Sequence, residues 1–242
     1  MTKLHKTLIA RMDKAVWEYR MIDDHDVLLV AVSGGVDSMV LLDLLALQTP
    51  HYAQHVEIRA VYVDLGFGDQ AEMRCQATQT FFDRTRVQGT IVRTDIGPYA
   101  HSDANRENPC FLCSRMKRRR IFECAEALGC NKIVFGHHKD DIVETLLINM
   151  IWGREISTMI PNLAVFQGKY HVLRPLLYVE EVLIKKFARE RALIPIEQEC
   201  PSDGHTKRQY VKEMLDRLDH DFKGAKENIF ASMKCVKKDY LL

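Results

Sequence analysis

One stretch limits this chain more than any other: a six-residue apolar run that breaks at a pair of glycines and resumes as a helix. Val27-Leu-Leu-Val-Ala-Val32 has no polar residue, as expected of a central parallel strand covered on both faces. It ends in Ser33-Gly34-Gly35-Val36-Asp37-Ser38, and the pattern MVLLDLLALQ that follows is helical. Two adjacent glycines let the turn close tightly with its amides exposed. The helix behind it adds the positive end of its dipole, so the turn suits an anion. The hydroxyls of Ser33 and Ser38 can donate to phosphate oxygens. Asp37 is out of place beside an anion unless it caps the helix or holds a cation that bridges phosphates.

The same alternation continues along the chain. An amphipathic helix over residues 5–21 places Leu8, Ile9, Met12, Val16 and Tyr19 at helical spacing. Strands are expected at 58–64, 90–95, 132–135 and 171–174, and helices at 69–86, 114–128, 140–152 and 179–192. Residues 205–235 read as helical and polar. Strands alternating with helices predict an α/β fold, a doubly wound parallel sheet with ligands beyond the C-terminal strand ends. No internal repeat or linker divides the 242 residues. The expected organisation is a single domain: an N-terminal helix over 1–24, an α/β core over 25–195 and a helical segment over 196–242.

Composition mainly excludes. Lys and Arg number 34 against 33 Asp and Glu, so bulk charge gives no sign of a nucleic-acid partner, and a basic surface would have to come from local clustering. No apolar run is long enough for a bilayer span, and the charged N-terminus lacks the pattern of a signal peptide. The expectation is a cytoplasmic protein with no membrane partner. Seven cysteines without an export signal argue against a disulfide framework.

A second candidate turn is Gly136-His137-His138-Lys139-Asp140-Asp141, between a strand and a helix. Gly136 allows close backbone approach. Asp140 and Asp141 could bind Mg²⁺ on phosphates, or serve as helix-capping acids, and His137 and His138 could donate to phosphate or transfer protons. The third constellation is Pro109-Cys110-Phe-Leu-Cys113 at a helix start, with Arg115 close by, a setting that favours thiolates. Two thiolates are half a tetrahedral site, and Cys200 in a polar loop is the best third ligand. The spacing leaves an iron–sulfur cluster, a zinc site that recruits His205, and a metal-free redox pair all open. Cys75, Cys124, Cys130 and Cys235 read as ordinary packing residues.

These motifs carry a resemblance. SGGVDS resembles the SGGxDS signature of the PP-loop ATP pyrophosphatase superfamily, and lacks the lysine of a Walker A loop. GHHKDDIVETLLINMIWG, Met21-Ile22 and Leu173-Arg174-Pro175-Leu176 are similar to segments of the tRNA 2-thiocytidine synthetase (TtcA) family, over roughly residues 5–235. The resemblance implies that Ser33, Gly34, Gly35, Asp37 and Ser38 hold the phosphates of ATP and that Val63 and Asp64 lie against its adenosine. It implies that Cys110, Cys113 and Cys200 hold a [4Fe-4S] cluster. Here the chain departs from the family: Glu197 stands where a second CxxC-like segment would begin.

The implied activity is ATP- and Mg²⁺-dependent tRNA thiolation. ATP adenylates the C2 oxygen of an anticodon-loop cytidine, and sulfur from a donor such as a cysteine desulfurase system replaces it. The candidate catalytic groups are Asp37, Asp140, Asp141 and His137, with Gly136 and His138 at the nucleotide. The basic run of Arg115, Lys117, Arg118, Arg119 and Arg120, with Lys207, Arg208 and Lys212, is the expected tRNA surface. Two rivals stay open: an ATP-dependent amide-forming or lysine-attaching ligase, and a nucleotide sensor without turnover. Oligomeric state, a homodimer included, is also open.

Overall fold

The computed structural model describes residues 1–48, 51–53, 55–196, 198–202, 204 and 206–240, with Lys238 described by its backbone alone. Six strands make one sheet: β1 (Val27–Val32), β2 (Glu57–Asp64), β3 (Gln88–Arg93), β4 (Lys132–Phe135), β5 (Asn162–Val165) and β6 (Tyr170–Leu173). Their order is β3-β2-β1-β4-β6-β5. All pairs are parallel except β5 with β6. From β1 the chain winds out through β2 to β3, then returns to β4 on the other side. The switch therefore falls between β1 and β4, where a crevice opens beyond the strand ends.

The helices are α1 (Lys3–Glu18), α2 (Val36–Gln48), α3 (Ala71–Thr85), α4 (Ile96–Ala100), α5 (Pro109–Ala127), α6 (Lys139–Ile148), α7 (Glu181–Glu190), α8 (Lys207–Asp221) and α9 (Ala225–Ser232). The pleat of β1 explains its unbroken apolar run. Leu28, Val30 and Val32 face a core shared with α1, α2 and α7, while Leu29 and Ala31 face Ile121 and Ala125 of α5. Both faces are dry, at roughly 2 kcal/mol for each large aliphatic side chain buried. Helices α8 and α9 pack on α6. No described helix is long and apolar enough to cross a membrane.

Three details differ from the sequence reading. Helix α5 starts at Pro109, not at 114, because the Asn108 side chain accepts from the Phe111 amide at 3.2 Å and proline suits the first turn. Cys110 thus lies in the first turn of α5 and Cys113 opens the second. Strand β5 was not foreseen. It is four residues long and turns back through Phe166 and Gln167, both left-handed, and Gly168 at φ 86°, and so short an antiparallel edge carries little periodic signal. The helix expected to end at 152 closes instead with a π-helical turn over Asn149–Gly153.

Candidate active site

The turn after β1 is stapled from within. The Ser38 hydroxyl donates to Gly35 O at 2.8 Å and accepts from Ser33 N at 3.0 Å. Ser33 Oγ accepts from Gly35 N at 3.3 Å. The serines therefore preform the turn, and the first-turn amides of α2 make a setting that suits an anion. Gly34 has φ +89°, and a Cβ there would meet Ile196 O at 2.3 Å. The Ile196 amide donates to Gly34 O at 2.9 Å, so the segment before Cys200 is clasped over the turn.

The turn after β4 docks on this one, because Gly136 has no side chain to hold it off. A Cβ there would lie 2.9 Å from Ser38 N and 3.0 Å from Asp37 O. His138, 5% exposed, caps α6: its amide donates to Asp141 Oδ2 at 3.0 Å, and its ring Nδ1 accepts from Asp141 N at 3.5 Å. Its Nε2 sits 3.4 Å from Asp141 Oδ2 and 3.8 Å from Asp37 Oδ2. Burial pushes the Asp37 carboxyl up, His138 opposes this, and the charge of Asp141 adds to it. Asp37 and Asp141 thus face one hollow. Asp140 is committed elsewhere, accepting from Glu181 N at 2.8 Å at the start of α7.

Two hollows flank the turn and share Ser33 and Lys117. One, about 470 Å³, lies under α5 beside the ends of β4 and β6 and is edged by Asp37, Arg118, His137 and Arg174. The other, about 520 Å³, is lined by Gly34, Gly35, Leu65, Ile196, Gln198 and Cys200. His137 is held well below the usual histidine range, at about 4, chiefly by burial, so it is neutral at physiological pH. Burial also brings Arg174 down to about 10, and the neighbouring Arg118 adds to that. Lys117 is lowered by burial, and Cys113 opposes the shift.

All seven cysteines are free thiols. Burial raises Cys113, Lys117 lowers it, and Cys200 and Cys110 both raise it. Cys110 and Cys200 are therefore both within electrostatic reach of Cys113 in the N-terminal part of α5. Among the described residues, no three His, Cys, Asp or Glu side chains are gathered as round a single ion. His205 and Glu197 lie outside the described residues. Cys75 and Cys130 are buried, Cys124 is half-buried and Cys235 is exposed.

Several expected residues take other roles. Asp64 is 1% exposed and pairs with Arg74, Nε to Oδ1 at 3.0 Å. Val63 is also buried, so only the backbone at this strand end is available to a ligand. The basic run divides: Arg115 pairs with Glu107, and Arg119 and Arg120 with Glu123, whereas Lys117 and Arg118 face the hollow. Arg208 is taken by Asp141 and Glu144, both at 2.8 Å, and Lys212 by Glu181 at 2.7 Å. Gln198, which the sequence did not single out, donates to the Tyr62 hydroxyl and accepts from Leu65 N.

Comparison with known proteins bears on the same region. A family model described as a PP-loop domain matches residues 4–218. The tRNA-cytidine(32) 2-sulfurtransferase of Methylobacillus flagellatus is 35% identical over 99% of this chain and 78% of its own length. That of Dechloromonas aromatica is 36% identical over 99% and 83%. Among solved structures, the U34-tRNA thiolase NcsA of Methanococcus maripaludis, with its [4Fe-4S] cluster, matches 95% of this chain and 78% of that one at TM-score 0.76 and 19% identity. The NH3-dependent NAD synthetase of Campylobacter jejuni matches 99% and 95% at TM-score 0.55 and 13% identity, a likeness of fold.

Proposed function

The chain belongs to the PP-loop domain family, and from that premise we propose that it is an ATP-dependent tRNA-cytidine 2-sulfurtransferase. The observation that carries the reading is a shared wall: Cys200 lines the same hollow as Ser33, Gly34 and Gly35 of the phosphate turn. An amide-forming enzyme has no use for a thiol there. The near-full-length identity to sulfurtransferases points the same way.

In this reading the triphosphate lies on the amides of the turn and the N-terminus of α2, whose dipole favours charge at the α-phosphate. The cytidine O2 bonds to that phosphorus as the bond to the β-phosphate oxygen breaks and pyrophosphate leaves. Sulfur then adds at C2, the C2–O bond breaks, and AMP departs with the oxygen. Lys117, between Cys113 and the turn, is placed to neutralise charge at this centre. Asp37 and Asp141 fit Mg²⁺: both face one hollow, burial and the charge of Asp141 push the Asp37 carboxyl up, and a shared cation would offset both effects. Asp140, spent on α7, does not join them.

Cys110, Cys113 and Cys200 would hold the [4Fe-4S] cluster. Cys110 and Cys200 both act on Cys113 through their charge, and three thiolates suit a cluster with one iron left open. When bound, such a cluster supplies an iron free of protein thiolate that can present sulfur. The sulfur itself comes from an external donor. The test is anaerobic incubation of cluster-replete protein with ATP, sulfide and unmodified tRNA, followed by mass spectrometry of nucleosides. We expect 2-thiocytidine together with AMP and pyrophosphate, with the thionucleoside lost in Cys200→Ser. Pyrophosphate release without any thionucleoside would sink the proposal.

A further inference from the structure

The hollow under α5 has a composition that the phosphates of ATP do not explain. Much of its wall is apolar: Phe122, Phe135, Leu163, Val165 and Val172. Its polar side carries the cations Lys117, Arg118 and Arg174, with the carboxylates Asp37 and Asp141 among its remaining polar residues. Among the described residues neither Arg118 nor Arg174 has an ion-pair partner, and the charge acting on Arg174 is that of Arg118, another cation. One end of the Arg174 guanidinium is pinned to Ile160 O. Its Nε is buried without a hydrogen-bond partner, and so is Nδ1 of the neutral His137. Unmet buried polar atoms and an unpaired, desolvated guanidinium such as that of Arg174 cost stability. They point to a ligand that completes them.

A triphosphate would satisfy the cations and leave five apolar side chains against charged oxygens. A base alone would satisfy the apolar wall and leave the cations unpaired. A nucleotide of an RNA strand, base and phosphate together, uses both. The volume, about 470 Å³, accommodates one such unit. The hollow also opens on Ser33 and Asp37, where the α-phosphate would lie, while the second hollow remains for adenosine. Recognition of a single-stranded RNA loop proceeds in general by swinging a base out onto aromatic side chains with phosphates held by arginine.

We propose that this hollow seats the target nucleotide of the RNA, its base against Phe122 and Phe135 and its phosphate held by Arg174 and Arg118. The proposal rests on the thiolation reading and adds the seat of the second substrate. Arg174 is the main anchor, since its pinned end fixes the direction in which the rest of the guanidinium points.

The test separates RNA from ATP. Binding of a fluorescent synthetic anticodon stem-loop with the target cytidine is measured by anisotropy, and ATP binding by calorimetry, for the parent chain, Arg174→Gln and Arg118→Gln. Thermal unfolding of each variant runs alongside. Arg174→Gln should weaken the stem-loop roughly ten- to a hundredfold, the worth of a charge-assisted contact, with ATP affinity unchanged. Arg118→Gln, an exposed position, should weaken it less, and carries the test if Arg174→Gln does not fold. Loss of ATP affinity with RNA binding intact would assign the hollow to the triphosphate and overturn the proposal. RNA binding unchanged in both variants would overturn it too. A parent chain that binds ATP but no stem-loop would defeat the thiolation reading itself.

Discussion

Gly136 and Ser38 meet backbone to backbone: a Cβ on the glycine would stand 2.9 Å from the serine amide nitrogen. The turns after β1 and β4, separated by about a hundred residues of chain, are therefore one structure at the switch point of the sheet. That contact sets how far Asp141 and His137 stand from the phosphate turn.

Gly136→Ala tests the contact. The added methyl group meets backbone, which cannot rotate away, so β4 and α2 must separate. The cost should be about 1–3 kcal/mol in stability, and ATP affinity should fall roughly tenfold as the amides lose their alignment. Thermal unfolding and calorimetry read the two effects. An alanine variant with parental ATP affinity would show that the turns are positioned by other means.

Lys117 gives a different signature. It is lowered by burial and, among the described residues, has no carboxylate partner, so it is held in place at a cost to the fold. Lys117→Met should keep or raise the melting temperature. Thiolation turnover should drop roughly a hundredfold, the effect of removing one group that stabilises developing charge. Unchanged turnover in single-turnover assays would place the lysine outside the chemistry.

Much of this was legible beforehand because it obeys local rules. A both-faces-buried strand reads as an unbroken apolar run, and a glycine pair before a helix reads as a tight turn, so the parallel strands and the turn at residues 33–38 could be placed from the sequence. What could not be read is where a helix points its sides. Five basic residues over 115–120 look like one surface, yet Arg119 and Arg120 turn to Glu123 while Lys117 and Arg118 turn to the hollow. Asp64 was placed correctly at a strand end, but its carboxylate is spent on Arg74 from the next helix. Arg208 likewise went to Asp141 and Glu144. Such pairings depend on distance in space, on which periodicity is silent.

His137 should make the fold acid-sensitive. Burial holds its pKa near 4 against an ordinary 6.5. Between those values the unfolded chain takes up a proton that the folded chain refuses. The stabilisation is thus full above about pH 6.5 and drains away as pH falls towards about 4, by up to about 3 kcal/mol. His137→Gln lacks this drain, so its stability to denaturant should fall less than the parent's between about pH 7.5 and about pH 5. Parallel losses in the two proteins would mean that the imidazole protonates freely in the folded state.

Gly34 couples the phosphate turn to the cysteine segment. It is left-handed, at φ +89°, and a Cβ would fall 2.3 Å from Ile196 O, so Gly34→Ala carries both backbone strain and a clash. The clasp from Ile196 N to Gly34 O must open, releasing the stretch that holds the half-buried Cys200. Two independent readouts should move together: ATP affinity should fall, and alkylation of Cys200 in the metal-free protein should quicken. Cys110 is already exposed and should keep its parental rate, which serves as the internal standard. If ATP binding failed while Cys200 reacted as before, the segment would be anchored by contacts of its own, and nucleotide binding would not be linked to cysteine geometry through this glycine.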